Sequence, residues 1–181
     1  MILGSGSPRR AELLKQLGFE FVVIPSKVDE SFPKDLSPYE VAEFVAKKKG
    51  TFFSVKENEL VITADTVVIA GENILGKPKD RSEAVDMLKS LSDNEHAVVS
   101  GVYIQSVEKE ISFSEKTIIR FKELSVKEID FYIDHYAPFD KAGAYGIQEW
   151  IGMVAVEEMK GSFYNVVGLP TCRLMKVLSD F

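Results

Sequence analysis

Apolar and polar positions alternate along the chain in segments whose period switches repeatedly between strand-like and helix-like. Strand-like runs rich in β-branched residues cover residues 1–3, 21–24, 60–70, 96–107, 110–121 and 151–158. Helical spacing and helix-start signals predict helices over residues 8–17, 38–49, 80–91, 125–136 and from 170 onwards. Strands and helices that alternate throughout a chain predict an α/β fold.

Serines stand immediately before three of the predicted helices and are expected to cap them. Ser7 precedes the first helix, and Ser37 with Glu40 and Ser125 with Glu128 have the spacing of a capping box. In that motif the serine side chain accepts from the helix backbone, and the glutamate three residues later reaches back. These signals fix the expected starts of the helices.

Composition and charge narrow the class of protein. The 181 residues are 45% hydrophobic and carry a net charge of −6, which is typical of one globular domain spanning residues 1–181. An acidic chain is a poor candidate for binding nucleic acid polymers. No run approaches the roughly 20 apolar residues of a membrane span. We therefore expect a cytoplasmic protein that binds neither a membrane nor a nucleic acid polymer.

The few cysteine and histidine residues do not form a recognisable metal-binding motif. Cys172 is the single cysteine, and His96 and His135 lie too far apart in sequence for a zinc-hydrolase motif. If a metal takes part, the surplus of carboxylates favours an ion with oxygen ligands, Mg²⁺ or Mn²⁺.

A loop of glycine and serine separates the first strand from the first helix. Ser5 and Ser7 lie in this loop, and Arg9 and Arg10 follow in the first turn of the helix. Backbone N–H groups at a helix start and two arginines are suited to binding a phosphate. A plain capped turn with surface arginines explains the same residues, so both interpretations stay open.

Charged residues recur at four further places. Asp65, followed by Thr66, interrupts an apolar strand, where a carboxylate is costly unless it is paired or functional. It acts as a base or metal ligand, or it faces solvent at a strand end. Glu30 lies in a loop, Lys77 lies in a turn between glycine and proline, and Lys49 ends a run of three lysines. Each of the last three has an ordinary surface explanation.

The last segment of interest surrounds a glutamine. Gln148 ends a stretch from residue 140 to 148 in which glycines flank a tyrosine. An amide both donates and accepts hydrogen bonds, so this loop is a candidate for recognising a base or a sugar. A tight turn leading into a strand is the alternative.

Six segments of the chain occur in the order found in the Maf family of nucleoside triphosphate pyrophosphatases, and the chain resembles that family over nearly its whole length. The matching stretches are residues 5–10, 28–30, 64–67, 76–78, 140–148 and 165–170. The resemblance implies a mixed, elongated central sheet with flanking helices and a cleft between two lobes. It also implies hydrolysis of a nucleoside triphosphate to the monophosphate and pyrophosphate with a divalent metal, and it suggests a homodimer.

The resemblance assigns roles to individual residues. Asp65 falls on the family's catalytic acidic position, and Glu30, Lys49 and Lys77 fall on its other polar active-site positions. Glu30 and Asp65 are the metal ligands that this implies. For the lysine, Lys47 and Lys48 remain rival choices.

Three positions separate the branches of this family. Arg9, Thr66 and Gln148 match the branch that hydrolyses dTTP and UTP, which implies a pyrimidine nucleotide substrate. One departure is the pair Glu149 and Trp150, because the family more often has glycine directly after the glutamine. Two alternatives remain: a non-catalytic nucleotide-binding regulator of cell division, and a house-cleaning pyrophosphatase acting mainly on modified nucleotides.

Overall fold

The computed structural model describes residues 1–181, which form seven strands and seven helices. The strands are β1 Ile2–Leu3, β2 Val22–Val23, β3 Val61–Ala70, β4 Asn73–Leu75, β5 Glu95–Gln105, β6 Glu110–Phe121 and β7 Val156–Lys160. The helices are α1 Pro8–Gln16, α2 Pro38–Gly50, α3 Arg81–Leu91, α4 Val126–Tyr136, α5 Trp150–Ala155, α6 Phe163–Val167 and α7 Thr171–Ser179. Two short 3₁₀ turns, Pro138–Asp140 and Ala142–Ala144, follow α4.

The strands form one mixed sheet. Its order is β2-β1-β3-β5-β6-β7, with β4 paired to β3. β1 is parallel to both β2 and β3, whereas β4 is antiparallel to β3 and β7 is antiparallel to β6. The prediction of an α/β fold with a mixed central sheet is therefore confirmed.

The chain forms two compact units, of which the first comprises Met1–Thr66, Ser100–Glu115 and Gly168–Phe181. Its helix α2 lies directly against β5. A Cβ atom on Gly50 would be 2.2 Å from the ring of Tyr103, so only glycine permits this approach. Val45 and Ala46, near the same end of α2, are buried. This packing fixes the last turn of α2, which carries three lysines.

The second unit comprises Val67–Val99 and Lys116–Val167 and has its own apolar core. Leu88 and Leu91 of α3, Ile129 and Tyr132 of α4 and Phe121 of β6 are buried in it. The loop between α4 and α5 packs its apolar side chains into the same core. The polar residues of that loop are thereby held on an ordered backbone.

One predicted strand is wrong in its first half. Residues 151–158 were expected to be extended, but Trp150–Ala155 is the helix α5 and the strand covers only Val156–Lys160. Ile151 and Ala155 are both buried, whereas Met153 between them is exposed. Residues four apart lie on the same face of a helix, so this burial pattern indicates a helix. The apolar run by itself is compatible with either a helix or a strand.

All three serines occupy the predicted N-cap positions, but only one makes the predicted side-chain hydrogen bonds. Ser125 and Glu128 form the complete capping box at the start of α4. Ser7 and Ser37 occupy the cap positions of α1 and α2, but neither side chain makes a capping hydrogen bond. Proline follows each of these two serines directly, and its fixed φ suits the first position of a helix. Sequence analysis also missed the short strand β4.

None of the helices has the length and apolar character needed to cross a lipid bilayer.

Candidate active site

Lys49 joins two carboxylates in the first unit. It lies in the last turn of α2, and its Nζ is 2.7 Å from Asp65 Oδ1 in β3 and 3.0 Å from Glu30 Oε1 in the loop before α2. The Lys49 side chain is 9% exposed, that of Asp65 15% and that of Glu30 59%. Asp65 therefore lies shielded within the strand, and the alternative of a solvent-facing carboxylate at a strand end does not hold.

The two neighbouring lysines of α2 contact other groups. Lys47 pairs with Glu110 at 2.9 Å, and Lys48 donates to the carbonyl of Ser31 at 2.8 Å. Lys47 is exposed and Lys48 is half-buried, because residues one and two positions away from Lys49 on a helix face other directions. Of the three lysines, Lys49 alone contacts Asp65.

Asp65 keeps one oxygen available. Oδ1 accepts the hydrogen bond from Lys49, and Oδ2 accepts none from the protein. A carboxylate held through one oxygen is fixed in orientation, while the lone pairs of the other can accept from a water molecule or a substrate hydroxyl. The arrangement thus supplies an oriented base beside a cation.

Arg10 is the centre of a separate buried network in the first unit. Its guanidinium donates to the carbonyl of Gly168 at 2.8 Å, to Ser5 Oγ at 3.0 Å and to Thr66 Oγ1 at 3.0 Å. Thr66 Oγ1 also lies 2.8 Å from Ser100 Oγ. Burial lowers the pKa of Arg10, and the negative charge of Asp65 opposes that shift. Arg10 therefore ties three distant segments together.

This network changes the expectation for several predicted ligand-binding residues. Ser5 and Thr66 have hydroxyl groups already engaged by Arg10, so their contacts within the protein account for their polarity. Ser7 donates its backbone N–H to Ser5 Oγ at 3.3 Å. Arg9, in the first turn of α1, is partly exposed. Of the two arginines, Arg9 has the greater exposure to solvent.

The two predicted site residues of the second unit, Lys77 and Gln148, are both exposed. Lys77 follows Gly76, whose carbonyl accepts from Gly143 N–H at 3.0 Å, so the lysine turn is joined to the loop that leads to Gln148. The Gln148 amide makes no hydrogen bond within the protein.

Sequence analysis missed a second buried lysine. Lys141 Nζ is 2.7 Å from Asp140 Oδ1 and 3.1 Å from Glu149 Oε1, and its side chain is 9% exposed. The other carboxylate oxygen of Glu149 accepts from the Tyr132 hydroxyl. Ser100, a further member of the Arg10 network, was also missed. No periodicity marks Lys141 or Ser100, because their contacts with Glu149 and Thr66 depend on the tertiary structure.

The donor set of the first unit suits a divalent ion only in part. Glu30 and Asp65 converge on one atom, Lys49 Nζ, so their oxygens already face a shared position that holds positive charge. No group of three or more histidine, cysteine, aspartate or glutamate side chains has the arrangement of a metal site. Mg²⁺ is typically bound through one or two carboxylates together with substrate phosphates and water. The two residues fit an ion of that kind, shared with a phosphate substrate.

Known proteins resemble this chain over its full length. The sequence model described as "Maf-like protein" matches residues 1–181. A dTTP/UTP pyrophosphatase of Parabacteroides distasonis is 44% identical, with 100% of this chain and 95% of that protein covered. A dTTP/UTP pyrophosphatase of Thermosipho africanus is 48% identical, with 99% and 92% covered.

The solved structure of a HAM1 protein from Coxiella burnetii has a similar fold. The TM-score is 0.51, and the alignment covers 99% of this chain and 98% of that one. The sequences are 14% identical, so this likeness concerns the fold alone.

Proposed function

The chain belongs to the Maf family, and from that premise we propose that it hydrolyses nucleoside triphosphates, dTTP and UTP above others, to the monophosphate and pyrophosphate. Relatives named dTTP/UTP pyrophosphatase share 44–48% of its residues along nearly their whole length. The observation that carries the chemistry is Asp65, held by Lys49 through one oxygen with the other available.

Charge is the first requirement of such a substrate. A triphosphate carries about four negative charges near neutral pH, whereas the whole chain has a net charge of −6. Binding therefore depends on local cations. In our proposal the phosphate-binding cations of the first unit are Lys49 and Arg9, and that of the second unit is Lys77. Arg10 has its guanidinium bound by the protein and contributes its charge and the position of the loop between β1 and α1.

Asp65 acts as the general base. Its Oδ2 orients a water molecule and takes its proton as the water oxygen attacks the α-phosphorus. A bond forms from that oxygen to phosphorus, and the bond from phosphorus to the bridging oxygen of the β-phosphate breaks. The electron pair leaves with pyrophosphate. Lys49 keeps Asp65 oriented and stabilises charge that develops on the phosphate oxygens.

A divalent cation, Mg²⁺ or Mn²⁺, completes the proposal. Glu30 and Asp65 are the residues that would hold it, together with phosphate oxygens. When bound, such an ion neutralises phosphate charge and polarises the phosphoryl oxygens. Glu30 is well suited to this role because its side chain is 59% exposed and faces the same lysine as Asp65.

In our proposal Gln148 recognises the base, and Arg9 and Thr66 are the other two residues that match the dTTP/UTP branch. The Gln148 amide is exposed and carries a donor and an acceptor that the protein leaves unused. Thr66 has its hydroxyl in the Arg10 network, so we assign it to shaping the region rather than to direct contact with a base.

The test is pyrophosphate release from a panel of nucleoside triphosphates with Mg²⁺, Mn²⁺ or chelator. We expect metal-dependent release that favours dTTP and UTP. Asp65→Asn keeps the side-chain size and should lower kcat by about 10²- to 10⁴-fold with little change in KM. Asp29→Asn is the matched control, because Asp29 is an exposed carboxylate next to Glu30 and should leave kcat unchanged.

Three results would contradict parts of the proposal. Near wild-type turnover in Asp65→Asn removes the assigned base. Release that favours purine nucleotides or modified pyrimidines keeps the chemistry and overturns the substrate. Nucleotide binding with no hydrolysis of any substrate would instead support a regulator.

A further inference from the structure

Glu149 lies beside the proposed base-recognition residue and has both carboxylate oxygens bound inside the second unit. Oε1 is 3.1 Å from Lys141 Nζ, and Oε2 accepts from the Tyr132 hydroxyl. Its side chain is 19% exposed. A carboxylate this shielded is costly unless its partners compensate, and both partners are in place.

Tyr132 joins that carboxylate to the backbone. Its hydroxyl donates to Glu149 and accepts from Gly146 N–H at 2.9 Å. Burial, with the charge of Glu149, raises the pKa of the Tyr132 phenol, so the phenol stays protonated and remains a donor. The position of the Glu149 carboxylate is therefore fixed relative to the loop that carries Gln148.

The loop itself is a closed turn. Glu149 N–H donates to the Gly146 carbonyl at 3.0 Å, and Ile147 is buried while Gln148 is exposed. A Cβ atom on Gly146 would be 3.0 Å from Gln148 Nε2 and 3.0 Å from Glu149 Oε2. The amide of Gln148 and the carboxylate of Glu149 thus converge over the same glycine.

A neighbouring carboxylate distinguishes the two ends of an amide. The NH₂ group carries partial positive charge and the carbonyl oxygen partial negative charge, so the amide is favoured with its NH₂ group towards the carboxylate. The carbonyl oxygen then faces away from Glu149, where it can accept a hydrogen bond from a ligand.

We propose that Glu149 is a positioning residue that fixes the orientation of the Gln148 amide, so that its carbonyl oxygen accepts from the imino N–H of uracil or thymine. Cytosine has an acceptor in place of that N–H. Two acceptors would then face each other without a hydrogen bond, which weakens the binding of CTP. The inference rests on the proposed function and extends it to discrimination between UTP and CTP.

Glu149→Gln tests this with kcat and KM measured for UTP and CTP. The neutral side chain keeps the size of glutamate and no longer distinguishes the two ends of the Gln148 amide. We expect the ratio of kcat/KM for UTP over CTP to fall about tenfold. The change should come from a higher KM for UTP and a lower KM for CTP, because the bond to the α-phosphorus is not involved. Glu157→Gln, at an exposed glutamate of β7, is the control and should leave the ratio unchanged.

The outcomes separate the two proposals. Equal losses of kcat for both nucleotides, or an unchanged ratio, would overturn the positioning role and leave the pyrophosphatase proposal intact. Wild-type protein that hydrolyses UTP and CTP equally would overturn both the positioning role and the proposed preference for dTTP and UTP, and would keep the pyrophosphatase chemistry. Wild-type protein that releases no pyrophosphate from any nucleotide defeats the proposed function itself.

A second variant covers the case in which Glu149→Gln fails to fold. Tyr132→Phe removes the hydroxyl that donates to the Glu149 carboxylate, while Glu149 keeps its negative charge. We expect the UTP over CTP ratio to fall about threefold, since the carboxylate stays near the amide but is less fixed. A ratio equal to that of the wild type in this folded variant overturns the inference.

Discussion

Two buried lysines, one in each unit, have nearly identical surroundings and different chemistry. Lys49 and Lys141 are each 9% exposed, and each contacts one shielded and one exposed carboxylate. For Lys49 the shielded partner is Asp65 at 2.7 Å, and for Lys141 it is Glu149 at 3.1 Å. The difference is that Asp65 keeps one oxygen available, whereas Tyr132 occupies the second oxygen of Glu149.

This comparison shows that a buried ion pair does not by itself mark a catalytic site. Structural ion pairs and reactive ones share burial and charge. What distinguishes them is which lone pairs the protein leaves without a partner. By that criterion the Lys49 cluster can do chemistry, and the Lys141 cluster fixes a loop.

Among variants of the lysines, Lys49→Met should have the largest effect. It removes the cation that orients Asp65, and we expect kcat for UTP to fall about 10²- to 10³-fold, as when one preorganised donor is lost from an active site. Steady-state pyrophosphate release measures this. Activity within about twofold of wild type would mean that the two lysines are functionally equivalent, and the comparison would fail.

Acid should lower the stability of the unit that contains Lys141, since the buried His96 belongs to it. Burial lowers the pKa of His96 to about 4, and its Nε2 contacts the Tyr145 hydroxyl at 2.8 Å. In the unfolded chain this histidine binds its proton near pH 6.5, so the neutral His96 contributes its full stabilisation to the folded protein above that pH. Between pH 6.5 and 4 the free energy of unfolding falls by about 1.4 kcal/mol per pH unit.

Urea unfolding at pH 7, 5.5 and 4.5 measures that slope. His96→Gln should lose stability at pH 7 and have a flatter pH dependence than wild type. Parallel curves for the two proteins would show that His96 does not supply the acid sensitivity.

Lys141→Met sharpens the comparison through stability. It leaves the shielded carboxylate of Glu149 with Tyr132 as its remaining partner, and we expect the free energy of unfolding to fall by about 1–3 kcal/mol. Lys49→Met should cost a similar amount, because Asp65 is shielded to the same degree. Only Lys49→Met should also lower kcat, so urea unfolding and kcat together separate the two roles. A loss of kcat in Lys141→Met equal to that in Lys49→Met would contradict this.

The smallest effect is expected for Lys47→Met. Lys47 and Glu110 form an ion pair in which both side chains are about half exposed, 53% and 54%. Exposed pairs contribute at most about 1 kcal/mol, so urea unfolding should change little and kcat not at all. A clear loss of kcat in this variant would mean that activity depends on the total positive charge at the end of α2 rather than on the contacts of Lys49.

Local signals predicted much of the fold. The helix α3 and the capping box at Ser125 have sequence patterns that the structure confirms. Such patterns act between residues three or four apart, so the sequence displays them directly. The error at 150–155 arose where β-branched residues and helical spacing coincide, and only the burial of Ile151 and Ala155 distinguishes the two.

The sequence predicted which residues belong to the site, but it did not predict which of them contact one another. Asp65 stood out because a carboxylate in an apolar strand is costly. The family resemblance favoured Lys49, but the residue pattern itself did not distinguish it from Lys47 and Lys48, since three adjacent lysines satisfy the same helix dipole. The choice among them depends on which face of α2 is turned towards β3, and there Lys49 contacts Asp65.

The sequence alone therefore determined the α/β class, the family and the candidate residues, because periodicity and motif order are properties of neighbours along the chain. The tertiary structure decided how the polar atoms are paired. It engaged the hydroxyl groups of Ser5 and Thr66 with Arg10, bound both oxygens of Glu149 and left Asp65 Oδ2 available. Those pairings join residues far apart in sequence, and hydrogen bonds of that kind form only where folding brings donor and acceptor within about 3 Å.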